Sequence, residues 1–421
     1  MDASAEIICV GTELLLGDIL NSNAQYLAQQ LAQLGIPHYY QTVVGDNSLR
    51  LQRAVAIACE RSRLLLLTGG LGPTPDDLTV AALAEFFGVP LVERPELIAD
   101  IEQKFAQRGR TMTANNRKQA LLPAGAEVLP NQGGTAPGLI WEPRPGLLVM
   151  TFPGVPREMQ AMWETTAAPY LEAKGWSSSI IHSRTLKFWG IGESSLAEKV
   201  APFFELENPT VAPYAGGGEV KLRISARAAS PEQAASLIAP IEAELRHITS
   251  VDCYGQDDDT LASVVVGLLK ARQQTLSVAE SCTGGGLGQM ITAVPGSSSY
   301  FWGGIISYDN RIKENWLGVN PQTLATVGAV SAEVAEQMAL GVRERMGTDW
   351  GLSITGIAGP DGGTAAKPVG LVYIGLADGS AVQSLERQFG GYGDRDWIRY
   401  ISACSALDFL RRTLLDVFTP T

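Results

Sequence analysis

The chain has 421 residues, 45% of them hydrophobic and 18% charged, with a formal net charge of −12, a length that corresponds to about three domains with real cores. No apolar run approaches the ~20 residues of a membrane helix, and "MDASAEII" lacks the basic region and long apolar core of a signal peptide. The acidic balance, without clustered Lys and Arg, argues against nucleic acid as the main partner, and five scattered cysteines without CxxC spacing point to a reducing cytoplasm, with no disulfide frame and no structural zinc.

Residues 1–176 alternate between strand and helix signals. Strands are expected at 6–11, 39–44, 63–70, 138–142 and 146–151. Helices are expected at 22–34, 48–60, 77–87, 95–108 and 156–173. Residues 177–254 differ: β-rich "HSRTLKFWG" (182–190) and "EVKLRISARA" (219–228) flank helical stretches near 193–204 and 231–247, a small α+β module in which Trp189 reads as packing and "YAGGGEV" (214–220) as a hairpin turn. "GQDDDT" (255–260) marks a boundary, its aspartates placed to cap the next helix. Residues 258–421 return to alternation: helix 260–272, strand 275–279, helix 285–293, strand 301–308, helix 331–346, strands at 350–356, 370–377 and 381–388, and a closing helix at 394–416. The expected fold class is α/β: two doubly wound, mostly parallel three-layer domains joined by the small module.

Three strand-end segments of the first domain carry polar residues suited to chemistry. "LLLLTGGLGPTPDDLT" (64–79) runs from a buried strand through a glycine turn that presents N–H groups to phosphate, with Asp76 and Asp77 available to a hard cation. Asp76 reads more simply as the helix N-cap, whereas Asp77 reads as functional. "VVGDN" adds Asp46, and "GTELLLGDILNSN" adds Glu13 and Asp18.

In the last domain the telling stretch is "AESCTGGG" (279–286), a serine and a cysteine at a glycine-rich strand-to-helix turn. A serine needs a neighbouring base. The three histidines, His38, His182 and His247, all precede residue 248, so neither a Ser-His-Asp triad nor a Cys-His pair exists within 248–421. Lysine is the next candidate, and this region holds Lys270, Lys313 and Lys367. Lys270 sits on a charged helix end and Lys367 in the loop "GIAGPDGGTAAKPVG". Lys313, in "SYDNRIKENWLGV" (307–319), follows a strand expected to lie parallel to the serine strand. Strand carboxyl ends in open parallel sheets share one crevice, so Ser281, Tyr308 and Lys313 are placed to meet there. Burial would have to lower the Lys313 pKa for it to act as base. With no cationic partner nearby in sequence, Cys282 reads as a buried small hydrophobe.

Five ordered segments, "AESCTGG" (279–285), "G-x-I-x-YDNRIKENWLGV" (304–319), "GAVSAEVAEQMA" (328–339), "SITGIAGPDGGTAAKPVGLVY" (353–373) and "GDRDWIR" (393–399), resemble the CinA family over essentially the whole last domain. The resemblance implies a nicotinamide mononucleotide amidohydrolase needing no cofactor. Its nucleophile falls on Ser281, and its proton-handling pair on Tyr308 and Lys313, with the question of which touches the serine left open. It implies substrate contacts at Thr283, Gly284, Gly285, Asn310, Thr355 and Gly356, and the 5′-phosphate brings in Arg395 and Arg399. The amides of "CTGGG" are natural oxyanion donors. The first domain resembles the family's other half, which is similar in fold to molybdopterin-binding proteins. Its phosphate cradle corresponds to Thr68, Gly69, Gly70 and Gly72, and its carboxylates near a divalent metal, magnesium, to Asp46 and Asp77. For this half the resemblance implies metal-dependent hydrolysis of ADP-ribose to AMP and ribose 5-phosphate; for the whole chain it implies a cytoplasmic homodimer acting on small nucleotides, with neither nucleic acid nor membrane as partner. Two alternatives stay open: a deamidase whose first domain only binds a nucleotide, and a competence or DNA-damage accessory protein that acts by binding.

Overall fold

The computed structural model describes residues 4–176, 180–390 and 393–416. The chain divides into two compact units, Met1–Ser183 with Ser225–Ala239, and Arg184–Ile224 with Pro240–Thr421. The expected start of the middle module at 177 lies outside the described residues.

The first unit is built on strands β1 (Ala5–Val10), β2 (His38–Val44), β3 (Leu64–Thr68), β6 (Glu127–Leu129), β7 (Gly138–Arg144) and β8 (Leu147–Phe152), ordered β2-β1-β3-β8-β7-β6. A separate pair joins β4 (Leu91–Glu93) to β5 (Leu121–Pro123). β2, β1, β3 and β8 run parallel, whereas β7 pairs antiparallel with both β8 and β6. Every residue of β1, β3 and β8 is buried, the signature of strands covered on both faces. Their alternation feeds two cores. Ile7, Leu64 and Leu66 pack with helix Ser22–Gln33, while Ile8, Leu65 and Leu67 pack with helices Ser48–Arg61 and Thr79–Phe87.

The middle segment supplies β9 (Ile180–Phe188), β10 (Thr210–Gly216), β11 (Glu219–Ala228) and β12 (Cys253–Gln256), ordered β10-β11-β9-β12. "YAGGGEV" makes the β10–β11 hairpin turn, and Trp189 is buried in the core of the second unit.

The second unit centres on β13 (Leu276–Glu280), β14 (Phe301–Ile306), β15 (Trp350–Gly356), β16 (Leu371–Ala377) and β17 (Val382–Gln388), ordered β14-β13-β15-β16-β17. β13 runs parallel to both neighbours, and β16 pairs antiparallel with both β15 and β17. Helices Leu261–Arg272 and Arg395–Leu414 cover one face; Asn310–Leu317 and Ala332–Met346 cover the other. The architecture is thus α/β, mixed but mostly parallel around the central strands.

Three local expectations are corrected. The helix after the glycine turn starts at Thr79 with Leu78 as N-cap, so Asp76 caps nothing there. Asp77 instead accepts the Thr74 N–H at 2.8 Å and the Thr74 hydroxyl, which tightens the loop ahead of the helix. The helix after "GQDDDT" is capped by Thr260, which exchanges bonds with Ser263, because Asp259 is drawn back onto the Gln256 N–H at 2.9 Å. The run 156–173 carries a π-turn at Trp163–Ala167 between two α-helical pieces.

Candidate active site

The carboxyl ends of β13, β14 and β15 meet at one edge of the second sheet. Ser281 donates its N–H to Ile354 O at 3.0 Å, and Ser307 donates to Glu280 O at 2.8 Å, so the residues just past two strands are tied to the neighbouring ones. After Ser281 the backbone turns through Gly284 and Gly285, whose φ values of 59° and 99° lie where a side chain is strained, into helix Gly286–Thr292. Cys282 is buried and its thiol is pushed up to about 11, chiefly by desolvation, which keeps it protonated and poorly nucleophilic at neutral pH.

Lys313 lies in the first turn of helix Asn310–Leu317, which Asp309 caps by accepting the Arg311 N–H at 2.8 Å. Only 1% of Lys313 is exposed. Its Nζ stands 3.2 Å from Ser281 Oγ, 2.6 Å from Ser307 O and 3.3 Å from Tyr308 O. Among the described residues no carboxylate forms an ion pair with it, and desolvation lowers its pKa from the ordinary lysine value. A neutral amine here keeps two N–H groups for the two carbonyls and turns its lone pair to the serine hydroxyl.

The other expected residues separate by position. Tyr308 is 62% exposed, and its hydroxyl accepts from Arg395 Nη2 at 3.0 Å; Arg395 Nη1 also donates to Gly359 O at 2.6 Å. Of the two groups the sequence offered as partner to the serine, the amine touches it and the phenol is bonded to the guanidinium. Arg399 donates to Thr283 O at 2.9 Å and pairs with Asp396. Thr283 is buried with no partner for its hydroxyl. Thr355 is also buried and donates its hydroxyl to Ala329 O at 2.7 Å, while Gly356 faces Val372 in the β15–β16 ladder. Asn310 is exposed at the first residue of its helix.

One residue escaped the sequence reading. Glu280 is buried at the end of β13, and its carboxylate accepts the N–H groups of Gly285, Leu287 and Gly288 at 2.9, 3.0 and 2.8 Å. Gly284 and Gly286 bond to Ser281 O and Thr283 O. The glycine amides expected to receive an oxyanion are therefore committed.

In the first unit a cleft of about 430 Å³ is lined by Glu13, Asp46, Gly69, Gly70, Gly72 and Asp77, among others. Gly69 has φ 105°, and a Cβ there would stand 2.0 Å from Val10 O, so the turn tolerates no side chain. Thr79 holds the turn by donating to Gly69 O at 2.8 Å; Thr68 accepts from Asn23 at 2.9 Å and donates to Pro153 O. Asp46 accepts both the N–H and the hydroxyl of Thr12 at 2.8 Å through one oxygen, leaving the other uncommitted. Asp18 is exposed and is not part of the cleft lining.

Among the described residues no group of three or more His, Cys, Asp or Glu is arranged to hold a metal ion. Asp46 and Asp77 fit only the mode in which one or two carboxylates share a hard cation with a ligand's phosphate oxygens and water. Nor is any helix among the described residues long and apolar enough to cross a membrane.

Comparison with known proteins matches residues 258–414 to the CinA C-terminal domain, 6–173 to the probable molybdopterin binding domain, and 183–255 to the damage-inducible protein CinA KH domain. A CinA-like protein of Cyanothece sp. (strain PCC 7425 / ATCC 29141) is 70% identical over 415 residues, 99% of this chain and 99% of its own length. One from Synechococcus elongatus is 68% identical over 98% of each. Among solved structures, the protein CinA with unknown function from Thermoplasma acidophilum is 34% identical over 40% of this chain and 99% of its own, with a TM-score of 0.38. Competence/damage inducible protein CihA from Agrobacterium tumefaciens is 38% identical over 37% and 93%, with a TM-score of 0.36.

Proposed function

The chain belongs to the CinA family, and we propose that it is a hydrolase that converts the carboxamide of nicotinamide mononucleotide to the carboxylate through a serine ester. The observation that carries this reading is the buried Lys313 amine 3.2 Å from Ser281 Oγ, in a region without histidine. Ser281 Oγ attacks the amide carbon as its proton passes to Lys313 Nζ. The protonated amine then gives that proton to the departing nitrogen, and ammonia leaves. Water, activated by the same amine, cleaves the ester and restores the hydroxyl. Tyr308 and Arg395 form a polar wall beside the nucleophile, and the guanidinium of Arg395 suits the substrate's phosphate.

The direct test measures ammonia from the unaltered chain. Nicotinamide mononucleotide yields ammonia while free nicotinamide, which lacks the phosphate, does not; silence with the mononucleotide ends the reading. Cys282→Ala keeps most of the rate, and its loss in that variant moves the nucleophile to the thiol.

The same geometry sets a pH dependence. The free amine is the active form, so kcat/KM rises with pH as Lys313 loses its proton. Burial lowers that pKa, so the acid limb lies below the 10.5 of an ordinary lysine. A profile with no limb below that value removes Lys313 as base.

For the first unit we propose hydrolysis of ADP-ribose at the pyrophosphate. The glycine turn and the uncommitted oxygens of Asp46 and Asp77 support it. A magnesium ion bound there would supply charge neutralisation at the phosphates; Asp46 and Asp77 would hold it, and the amides of Gly70 to Gly72 would orient the substrate, that of Gly69 being bonded to Phe152 O at 3.0 Å. Asp77→Ala is expected to lower magnesium-titrated AMP release roughly tenfold or more. An unchanged titration curve removes the site.

A further inference from the structure

The turn that carries Ser281 is unusual in which of its amides are left over. A helix that starts beside a nucleophile ordinarily offers its first N–H groups to whatever negative charge arrives. Here a side chain of the protein has taken that place. Glu280, the residue before the nucleophile, is 2% exposed and binds the amides of Gly285 and Leu287 through one oxygen and that of Gly288 through the other. Ser281 N–H goes to Ile354 O, Gly284 N–H to Ser281 O and Gly286 N–H to Thr283 O. Among the described residues from 281 to 288, the amides of Cys282 and Thr283 are the two with no carbonyl or carboxylate acceptor, that of Cys282 meeting only its own thiol. From the other side, Arg399 anchors the carbonyl of Thr283 at 2.9 Å.

We propose that Glu280 is a positioning residue that assigns the oxyanion to the Cys282 and Thr283 amides. This rests on reading Ser281 as the nucleophile. As the Oγ–C bond forms, the carbonyl π pair moves onto oxygen, and the Oγ proton goes to Lys313. When that pair returns, the C–N bond breaks and the nitrogen leaves as ammonia with the proton from Lys313. The negative oxygen thus exists only in the tetrahedral species, here and again when water adds to the ester, and donors fixed beforehand at its position favour the transition states over the ground states. Glu280 contributes by closing the helix end, which holds the turn rigid and bars anions from the competing amides. Its own charge is met by three N–H groups and takes no part in proton transfer.

The test compares Glu280→Gln with the unaltered chain, ammonia release being counted per folded chain from the near-UV circular dichroism. Gln offers a single uncharged acceptor in place of two charged oxygens. The expected result is a fall in kcat of about 10²-fold, with KM shifted less than roughly threefold and the acid limb of the profile unmoved. A kcat per folded chain that stays near the unaltered value overturns the proposal, as does a loss confined to KM or a displaced limb.

A second measurement uses the unaltered chain and so does not depend on the variant folding. Pyridine-3-boronic acid, which adds to a serine oxygen as a tetrahedral anion, shifts the amide resonances of Cys282 and Thr283 downfield and leaves those of Gly285, Leu287 and Gly288 in place. Movement of the latter three in place of the former two overturns the assignment. If the unaltered chain releases no ammonia from nicotinamide mononucleotide, the nucleophile reading falls and this one with it. If ammonia is released and only the amide assignment fails, the deamidase stands without a role for Glu280.

Discussion

Lys313→Met is expected to slow ammonia release from nicotinamide mononucleotide on the order of 10³-fold, the range a positioned general base contributes. Methionine fills a similar volume and carries no charge into the buried site, so folding is preserved while the lone pair facing Ser281 is lost. Lys313→Arg is expected to fail equally, because a guanidinium stays protonated and cannot accept the hydroxyl proton. Ser281→Ala removes the ester route altogether. Combining it with Lys313→Met adds little to either single loss, since the two act as one unit. The measurement is steady-state ammonia release with circular dichroism beside it. A folded Lys313→Met chain within tenfold of the unaltered rate would put the base elsewhere.

The second large effect concerns stability. Asp408 receives Arg411 through Nε at 2.9 Å and Nη2 at 2.6 Å on one oxygen, and Arg412 Nε at 2.7 Å on the other. Arg411 also donates to Val251 O, and Arg412 donates to Trp189 O and to Asp252. The side chains of Arg411 and Asp408 are 1% and 10% exposed. Asp408→Ala leaves two cations without their shared anion in a poorly hydrated place, a change that costs about 3–5 kcal/mol. For a unit of this size that corresponds to a melting point lower by roughly 10 °C, read by calorimetry. A drop below about 2 °C would mean that Asp252 and the carbonyls suffice. Ammonia release at low temperature is expected to survive, since this network lies apart from Ser281 in the hydrogen-bond pattern.

How much of this was legible beforehand depends on the range over which each signal acts. "LLLLT" announced a buried strand because a strand covered on both faces needs apolar residues at nearly every position. Lys313 followed from elimination: without imidazole, an amine after a neighbouring parallel strand was the remaining base, and parallel neighbours bring their ends together. Helix Asn310–Leu317 was missed as an element because its eight residues are mostly polar and its cap, Asp309, sits in a run that also reads as loop. Glu280 was invisible for a different reason. Its partners are backbone amides five to eight positions on, and only the glycine turn brings them back onto it. Asp76 misled because an aspartate ahead of an apolar run looks like a cap, whereas Thr74 had already claimed Asp77 and moved the helix start to Thr79.

The lysine side of the pair is carried just past β14, an edge strand of its sheet, which among the described residues pairs with β13 alone and leaves Trp302 and Ile306 more than half exposed. Outer strands fray before a domain melts as a whole. The contact between Lys313 and Ser281 is therefore made across an edge ladder of the sheet. Fraying there would part Lys313 from Ser281 while most of the unit remains folded, so warmth would undo the proposed chemistry before it unravels the unit.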